Sequence, residues 1–144
     1  VDDHEQNLEL LQAYLEDLGC AVSTATDGVE AIASIESDPP DLVLLDVMMP
    51  RMSGYQLCEK LKSEPHTRGI PVIMVTALSE VGDVERAVEA GADDFLTKPV
   101  HKVELCTRVR SLLRVRLLRS RLERTMAEVE RLRGAGGTGS GDKG

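Results

Sequence analysis

Asp41-Leu42-Val43-Leu44-Leu45-Asp46 is a run of four aliphatic residues held between two acids. A strand with one wet face would alternate polar and apolar side chains. An unbroken aliphatic run instead predicts a strand covered on both faces, as in a parallel sheet sandwiched between helices. The closing acid, Asp46, then falls at the carboxyl end of the strand, which is where open α/β sheets bind their ligands.

The flanking sequence repeats the pattern. Upstream, Leu8, Leu11, Leu15 and Leu18 recur at helical spacing between His4 and Leu18, and Gly19 follows as a stop. Cys20 to Ala25 is short and β-prone, and Asp27-Gly28 turns into a helix carrying Val29, Ile32 and Ile35 that ends before Pro39-Pro40. Downstream, Ser53 is placed to cap a helix holding Tyr55, Leu57, Cys58 and Leu61, which should stop near Pro65. Pro71-Val72-Ile73-Met74-Val75-Thr76 reads as another buried strand, followed by a helix from about Glu80 to Ala90 closed by Gly91. A short strand from Asp94 to Thr97 leads into Lys98-Pro99. Val1 reads as the last residue of a first strand whose beginning precedes the chain. The alternation predicts a doubly wound α/β fold with helices on both faces of the sheet.

Composition narrows the class. At 144 residues the chain has room for one domain and an extension, and with 2% aromatic residues its core must be aliphatic. No apolar run approaches the roughly 18 to 20 residues needed to span a bilayer, and no basic, apolar signal peptide opens the chain. A cytoplasmic protein without membrane contact is expected. Cys20, Cys58 and Cys106 lie far apart and suggest neither a zinc site nor a disulfide framework.

Charge divides the chain in two. Residues 1–100 carry 20 acidic side chains against 6 basic ones, whereas residues 101–133 carry 10 basic against 4 acidic. In the basic stretch, Val115, Leu118, Leu122, Thr125, Val129 and Leu132 are spaced alternately by three and four, a heptad seam flanked by Arg114, Arg116, Arg119, Arg121 and Arg124. The final helix is therefore expected to run to about Arg133, and residues 134–144, rich in Gly, to form a flexible linker or tail. The basic stretch lacks interleaved aromatics and any DNA-reading motif, so direct binding to nucleic acid is not expected.

Asp2, Asp3, Asp46, Thr76 and Lys98 all fall at strand ends. Three carboxylates in one pocket repel one another unless a hard divalent cation joins them, and Mg²⁺ prefers oxygen ligands. Phosphoryl transfer to a carboxylate needs positioning and charge stabilisation, which a lysine and a hydroxyl donor can supply. An isolated strand-end Asp is more often a turn or cap residue. It is the conjunction that points to this chemistry.

The same residues carry a family likeness. Val1-Asp2-Asp3, Leu44-Leu45-Asp46-Val47-Met48-Met49-Pro50 with Gly54 after it, Val75-Thr76-Ala77, and Ala90 to Pro99 together resemble the receiver domain of two-component response regulators, the CheY-like family. The resemblance implies a (βα)5 flavodoxin-like parallel sheet, here with its first strand cut short and its last helix extended. It implies Asp46 as phosphoacceptor, Asp3 as the main Mg²⁺-ligating acid with Asp2 beside it, and the Met48 backbone carbonyl as a further ligand, with Mn²⁺ as a substitute metal. Thr76 and Lys98 would sense the phosphoryl group, Thr76 and Phe95 would act as the switch, and the Lys98-Pro99 bond would be cis. Met48 and Leu78 are apolar where some relatives are polar, and are expected to hinder the attacking water. His4, His66 and His101 are read as solvent-facing.

These readings divide the chain into a receiver over 1–114, a helical coiled-coil-like extension over 115–133 and the tail. The expected function is a phosphorylation-dependent signalling switch, not an enzyme. Its phosphodonor would be a sensor histidine kinase or a phosphotransfer protein. Output would pass through self-association, as a homodimer, by the face of the fourth helix, fifth strand and fifth helix or by the long helix, or through an output domain missing from the chain. The alternative is an interaction scaffold that keeps the fold without using phosphate. A turnover phosphatase is disfavoured because Met48 stands where a second Asp would be needed.

Overall fold

The computed structural model describes residues 1–77 and 81–140. Along the chain it forms α1 (Glu5–Asp17), α2 (Gly28–Ser37), β1 (Val43–Asp46), α3 (Gly54–Ser63), β2 (Val72–Thr76), α4 (Val81–Glu89), β3 (Asp94–Thr97) and α5 (Lys102–Ser140). The strands pair in parallel in the order β1-β2-β3, with Asp46 opposite Val75 and Thr76 opposite Thr97. That register brings the carboxyl ends of all three strands to one edge of the sheet.

Side-chain alternation along the strands separates two cores. Val43, Leu45, Val72 and Met74 point to one face, where Ile35 of α2, Leu57, Cys58 and Leu61 of α3, and Ala87 of α4 cover them. Ile73, Val75 and Leu96 point to the other, against Leu105 and Val109 of α5 and the half-buried Leu11, Leu15 and Leu18 from α1 and its end. β2 is buried at every position, as expected of the strand flanked on both sides. In α2 the buried positions are Gly28, Ala31 and Ile35, while Val29 faces solvent.

Local signals fix the element ends. Ser53 accepts from the Gln56 N–H while the Gln56 side chain accepts from the Ser53 N–H, a reciprocal capping box at the start of α3. Gly19 and Gly91, with φ of +89° and +91°, close α1 and α4 in the left-handed region. Asp93 links β3 to the start of β2: its Oδ2 accepts from the Val72 N–H at 2.7 Å and from Lys62 Nζ at 2.9 Å.

Three strands, rather than the expected five, form the hydrogen-bonded sheet among the described residues. Val1 pairs with β1 in the parallel manner, its nitrogen donating to Leu44 O at 2.7 Å and its carbonyl accepting from the Asp46 N–H at 2.9 Å. On its other side Asp2 N donates to Ala25 O at 3.1 Å. Residues 20–25, expected as a strand, form neither a helix nor a ladder. A groove of about 530 Å³ lies beside Val1, lined in part by Cys20, Val22, Thr24 and Leu44.

The helix α5 continues through residues 134–140, past the end near Arg133 expected from the Gly-rich composition. No helix is long and apolar enough to cross a membrane, among the described residues.

Gly54 fixes the loop after β1. Its N–H donates to Val47 O at 2.9 Å, and a Cβ there would lie 2.2 Å from Asp46 O and 2.8 Å from Val47 Cα. Backbone cannot give way as a flexible side chain can. Gly54→Ala is expected to destabilise the fold by roughly 1 to 3 kcal/mol, seen as a lower urea midpoint with an unchanged m-value.

Candidate phosphoryl-acceptor site

Asp46 ends β1 and is 4% exposed, while Asp2 beside it is 2% exposed. Between them lies the Lys98 amine, 3.1 Å from Asp2 Oδ2 and 3.1 Å from Asp46 Oδ2. Lys98 follows β3 directly. Its N–H donates to Thr76 O at 2.7 Å, and the Lys98-Pro99 peptide is cis, as the family likeness implied. The other oxygen of Asp46, Oδ1, accepts from the Met48 N–H at 3.1 Å.

Each expected site residue can be located. Asp2, Asp3, His4 and Asp46 each offer a ligand atom, and these atoms lie within 4.8 Å of one another. Asp2 is engaged by Lys98 and by the His4 N–H, which donates to its Oδ1 at 2.9 Å. Asp3 is the more open of the pair. Thr76 closes β2, fully buried, one residue beyond the partner of Asp46 on the adjacent strand. Phe95 is half-buried and packs on the core face shared with α4. Met48 approaches Asp46 through its N–H and exposes its side chain; Leu78 lies outside the described residues.

Two contacts refine the sequence reading. His4 is exposed, as expected, and its Nδ1 also sits 3.1 Å from Asp3 Oδ1 and 3.4 Å from Asp2 Oδ1. Its adjacency to the acid pair was the available signal. Lys98 was expected at the same strand ends as the acids, but its equal sharing between Asp2 and Asp46 depends on the fold.

The electrostatics follow from burial. Burial raises the Asp46 pKa above the usual carboxylate value, and the Asp2 charge adds to this despite opposing bonds from the Met48 N–H and Lys98. Burial acts the same way on Asp2, but there the His4 N–H and Lys98 outweigh it and leave the pKa below the usual value. For Lys98, burial disfavours the charge, yet the two carboxylates prevail and raise its pKa.

Three carboxylates and one amine leave the cluster two charges short of neutrality when all are ionised. An all-oxygen acid set with that deficit suits a hard divalent cation. Its position at the strand ends is that of a ligand site in an open α/β sheet.

Comparison with known proteins agrees with this geometry. Residues 1–110 match the response regulator receiver domain. The chain belongs to that family. It is 49% identical over 132 residues to the response regulator PleD of Caulobacter vibrioides, covering 92% of this chain and 29% of that protein. Receiver structures resemble it closely: the signal receiver domain of a signal transduction histidine kinase from Syntrophus aciditrophicus is 44% identical with a TM-score of 0.74, over 78% of this chain and 86% of that one. The receiver domain of a sensor histidine kinase from Pseudomonas aeruginosa PAO1, 31% identical with a TM-score of 0.73 over 78% of this chain and 93% of that one, has a magnesium ion coordinated in its active-site cleft. The receiver thus spans less than a third of the PleD relative's length.

Because Asp46 resists ionisation in this receiver, removing its charge should relieve the fold. A carboxyl with a raised folded-state pKa weakens stability above that pKa and ceases to do so as pH falls through it. Asp46→Asn is expected to stabilise the metal-free receiver at pH 7 by roughly 0.5 to 2 kcal/mol, a gain that shrinks under acid conditions. Urea unfolding in EDTA at several pH values measures it.

Proposed function

We propose that this receiver is a phosphorylation-dependent switch in which Asp46 accepts a phosphoryl group. The observation that carries this reading is the shared contact of Lys98 Nζ with Asp2 and Asp46 at 3.1 Å each, at the carboxyl edge of a parallel sheet. An Asp46 oxygen attacks phosphorus, a P–O bond forms, and the bond from phosphorus to the donor's nitrogen or oxygen breaks. The donor is a sensor histidine kinase, a phosphotransfer protein or a small acyl phosphate.

Asp2, Asp3, Asp46 and the Met48 carbonyl would hold Mg²⁺, which when bound neutralises charge on the incoming phosphoryl oxygens. The protein's own groups do the remaining work. Lys98 places a fixed positive charge beside the acceptor carboxylate, and on phosphorylation its bond shifts from Asp46 Oδ2 to a phosphoryl oxygen. Thr76 donates its hydroxyl to another phosphoryl oxygen, and Phe95 packs inward behind it. The state of the site then biases the face made by α4, β3 and α5. The protein turns over no substrate other than its own phosphoryl group, and works in the cytoplasm.

Signal output runs through α5. Residues 1–114 act as the receiver and 115–133 as a self-association helix. Val115, Leu118, Leu122, Val129 and Leu132 are between 42% and 62% exposed in the isolated chain, a row of large apolar residues with no intramolecular cover. A second copy of this helix is the occupant that its heptad spacing favours.

Treatment with acetyl phosphate and Mg²⁺ should add one phosphoryl group by intact mass. EDTA or Asp46→Ala should abolish the adduct. Absence of any adduct in the wild-type protein would favour a phosphate-independent scaffold. Separately, Leu118→Glu with Leu122→Glu should leave phosphorylation intact and weaken self-association by about tenfold or more in sedimentation equilibrium.

A further inference from the structure

We infer that His4 is an additional ligand of the cation site, one that shifts its preference toward divalent first-row transition metals such as Mn²⁺. This rests on the acidic cluster binding a divalent cation as proposed above. His4 occupies the N-cap position of α1, with φ −99° and ψ 111°, where Ser, Thr, Asp or Asn ordinarily bonds the first turn. Its side chain makes no capping bond. The imidazole turns instead to the acids, with Nδ1 3.1 Å from Asp3 Oδ1 and 3.4 Å from Asp2 Oδ1.

The helix therefore does not account for the ring's orientation, whereas the carboxylates do. Two ligands on one ion, with bonds of about 2.0 to 2.2 Å, lie roughly 3 to 4.4 Å apart. The 4.8 Å envelope that holds the four ligand atoms of Asp2, Asp3, His4 and Asp46 needs only a small contraction to meet that geometry. The backbone beneath the ring is already fixed, because the His4 N–H donates to Asp2 Oδ1. The ring remains two-thirds exposed and can rotate without disturbing the core.

Ligand chemistry sets the consequence. Mg²⁺ favours oxygen and water and gains little from imidazole; Mn²⁺ also prefers oxygen but takes a nitrogen ligand more readily than Mg²⁺ does, and the later first-row metals more readily still. A histidine in an otherwise carboxylate set should leave Mg²⁺ binding nearly unchanged and tighten binding of the others.

The test uses the full chain. Titration calorimetry gives Mg²⁺ and Mn²⁺ affinities for the wild type, His4→Ala and Asp3→Asn, and pulsed electron paramagnetic resonance of bound Mn²⁺ reports nitrogen coordination. Expected results are a ¹⁴N coupling lost in His4→Ala and kept in His66→Ala. Mn²⁺ affinity should fall by about tenfold in His4→Ala, with Mg²⁺ affinity within about twofold. The His66 control covers the exposed group of Glu36, Glu64 and His66, which is a separate cluster of ligand-type residues.

Equal losses for both metals in His4→Ala, or no ¹⁴N coupling in the wild type, would overturn the inference while leaving the switch intact. If neither metal binds the wild type, or Asp3→Asn leaves both affinities unchanged, the proposed cation site itself fails.

Discussion

The structure depends on holding two buried carboxylates against one amine. Asp2 and Asp46 belong to neighbouring backbone segments joined by parallel pairing, so the sheet itself forces their charges together. Such a pair would be strongly unfavourable alone. Lys98 reaches both, and its backbone is tied to Thr76 at the end of the next strand. The strand ends are thus locked by charge as well as by ladder hydrogen bonds, and the locking group comes from the far edge of the sheet.

That arrangement divides the molecule into two ends with different duties. At the carboxyl edge, burial and unequal hydrogen bonding push the Asp46 and Asp2 pKa values apart, so Asp46 is the carboxylate that tolerates its charge less well. At the opposite edge, α5 is latched to the loops that start the strands: Arg116 donates to Gly69 O at 2.8 Å and lies 3.4 Å from Asp41. Between these ends Leu105 and Val109 bury α5 against the sheet, and Arg108 meets both oxygens of Asp94 at 2.8 Å. The long helix is therefore anchored along its first turns by packing and ion pairs and released beyond Arg116. Motion at β3 reaches it through direct contacts.

What was legible in the sequence follows from which forces are local. The run Asp41 to Asp46 betrayed a two-faced strand because burial on both sides demands aliphatics at every position. Ser53 announced the start of a helix because a cap bonds within the first turn, while the reciprocal bond from Gln56 came only with the structure. By contrast, Val29 was read among the apolar residues carried by the second helix, yet it faces solvent while the smaller Ala31 is buried, since helix rotation against α3 is set by packing. Arg116 read as one of a row of seam-flanking arginines; only the fold brings Asp41 and Gly69 beneath it. Residues 20–25 carried strand propensity, but a ladder depends on its partner, which propensity does not encode.

The charge at the acidic edge is left unbalanced. Three acids gather there around one ammonium, and that ammonium, Lys98, is shared between only two of them, Asp2 and Asp46. A bound cation or anion that favours one of these two acceptors over the other shifts Lys98 between them only by its differential affinity for the two arrangements. Lys98 is continuous with β3, and β3 packs on α5 through Leu96. Lys98 and the Leu96 contact with α5 therefore lie two residues apart on one continuous segment, which joins the site to the helix that leaves the receiver.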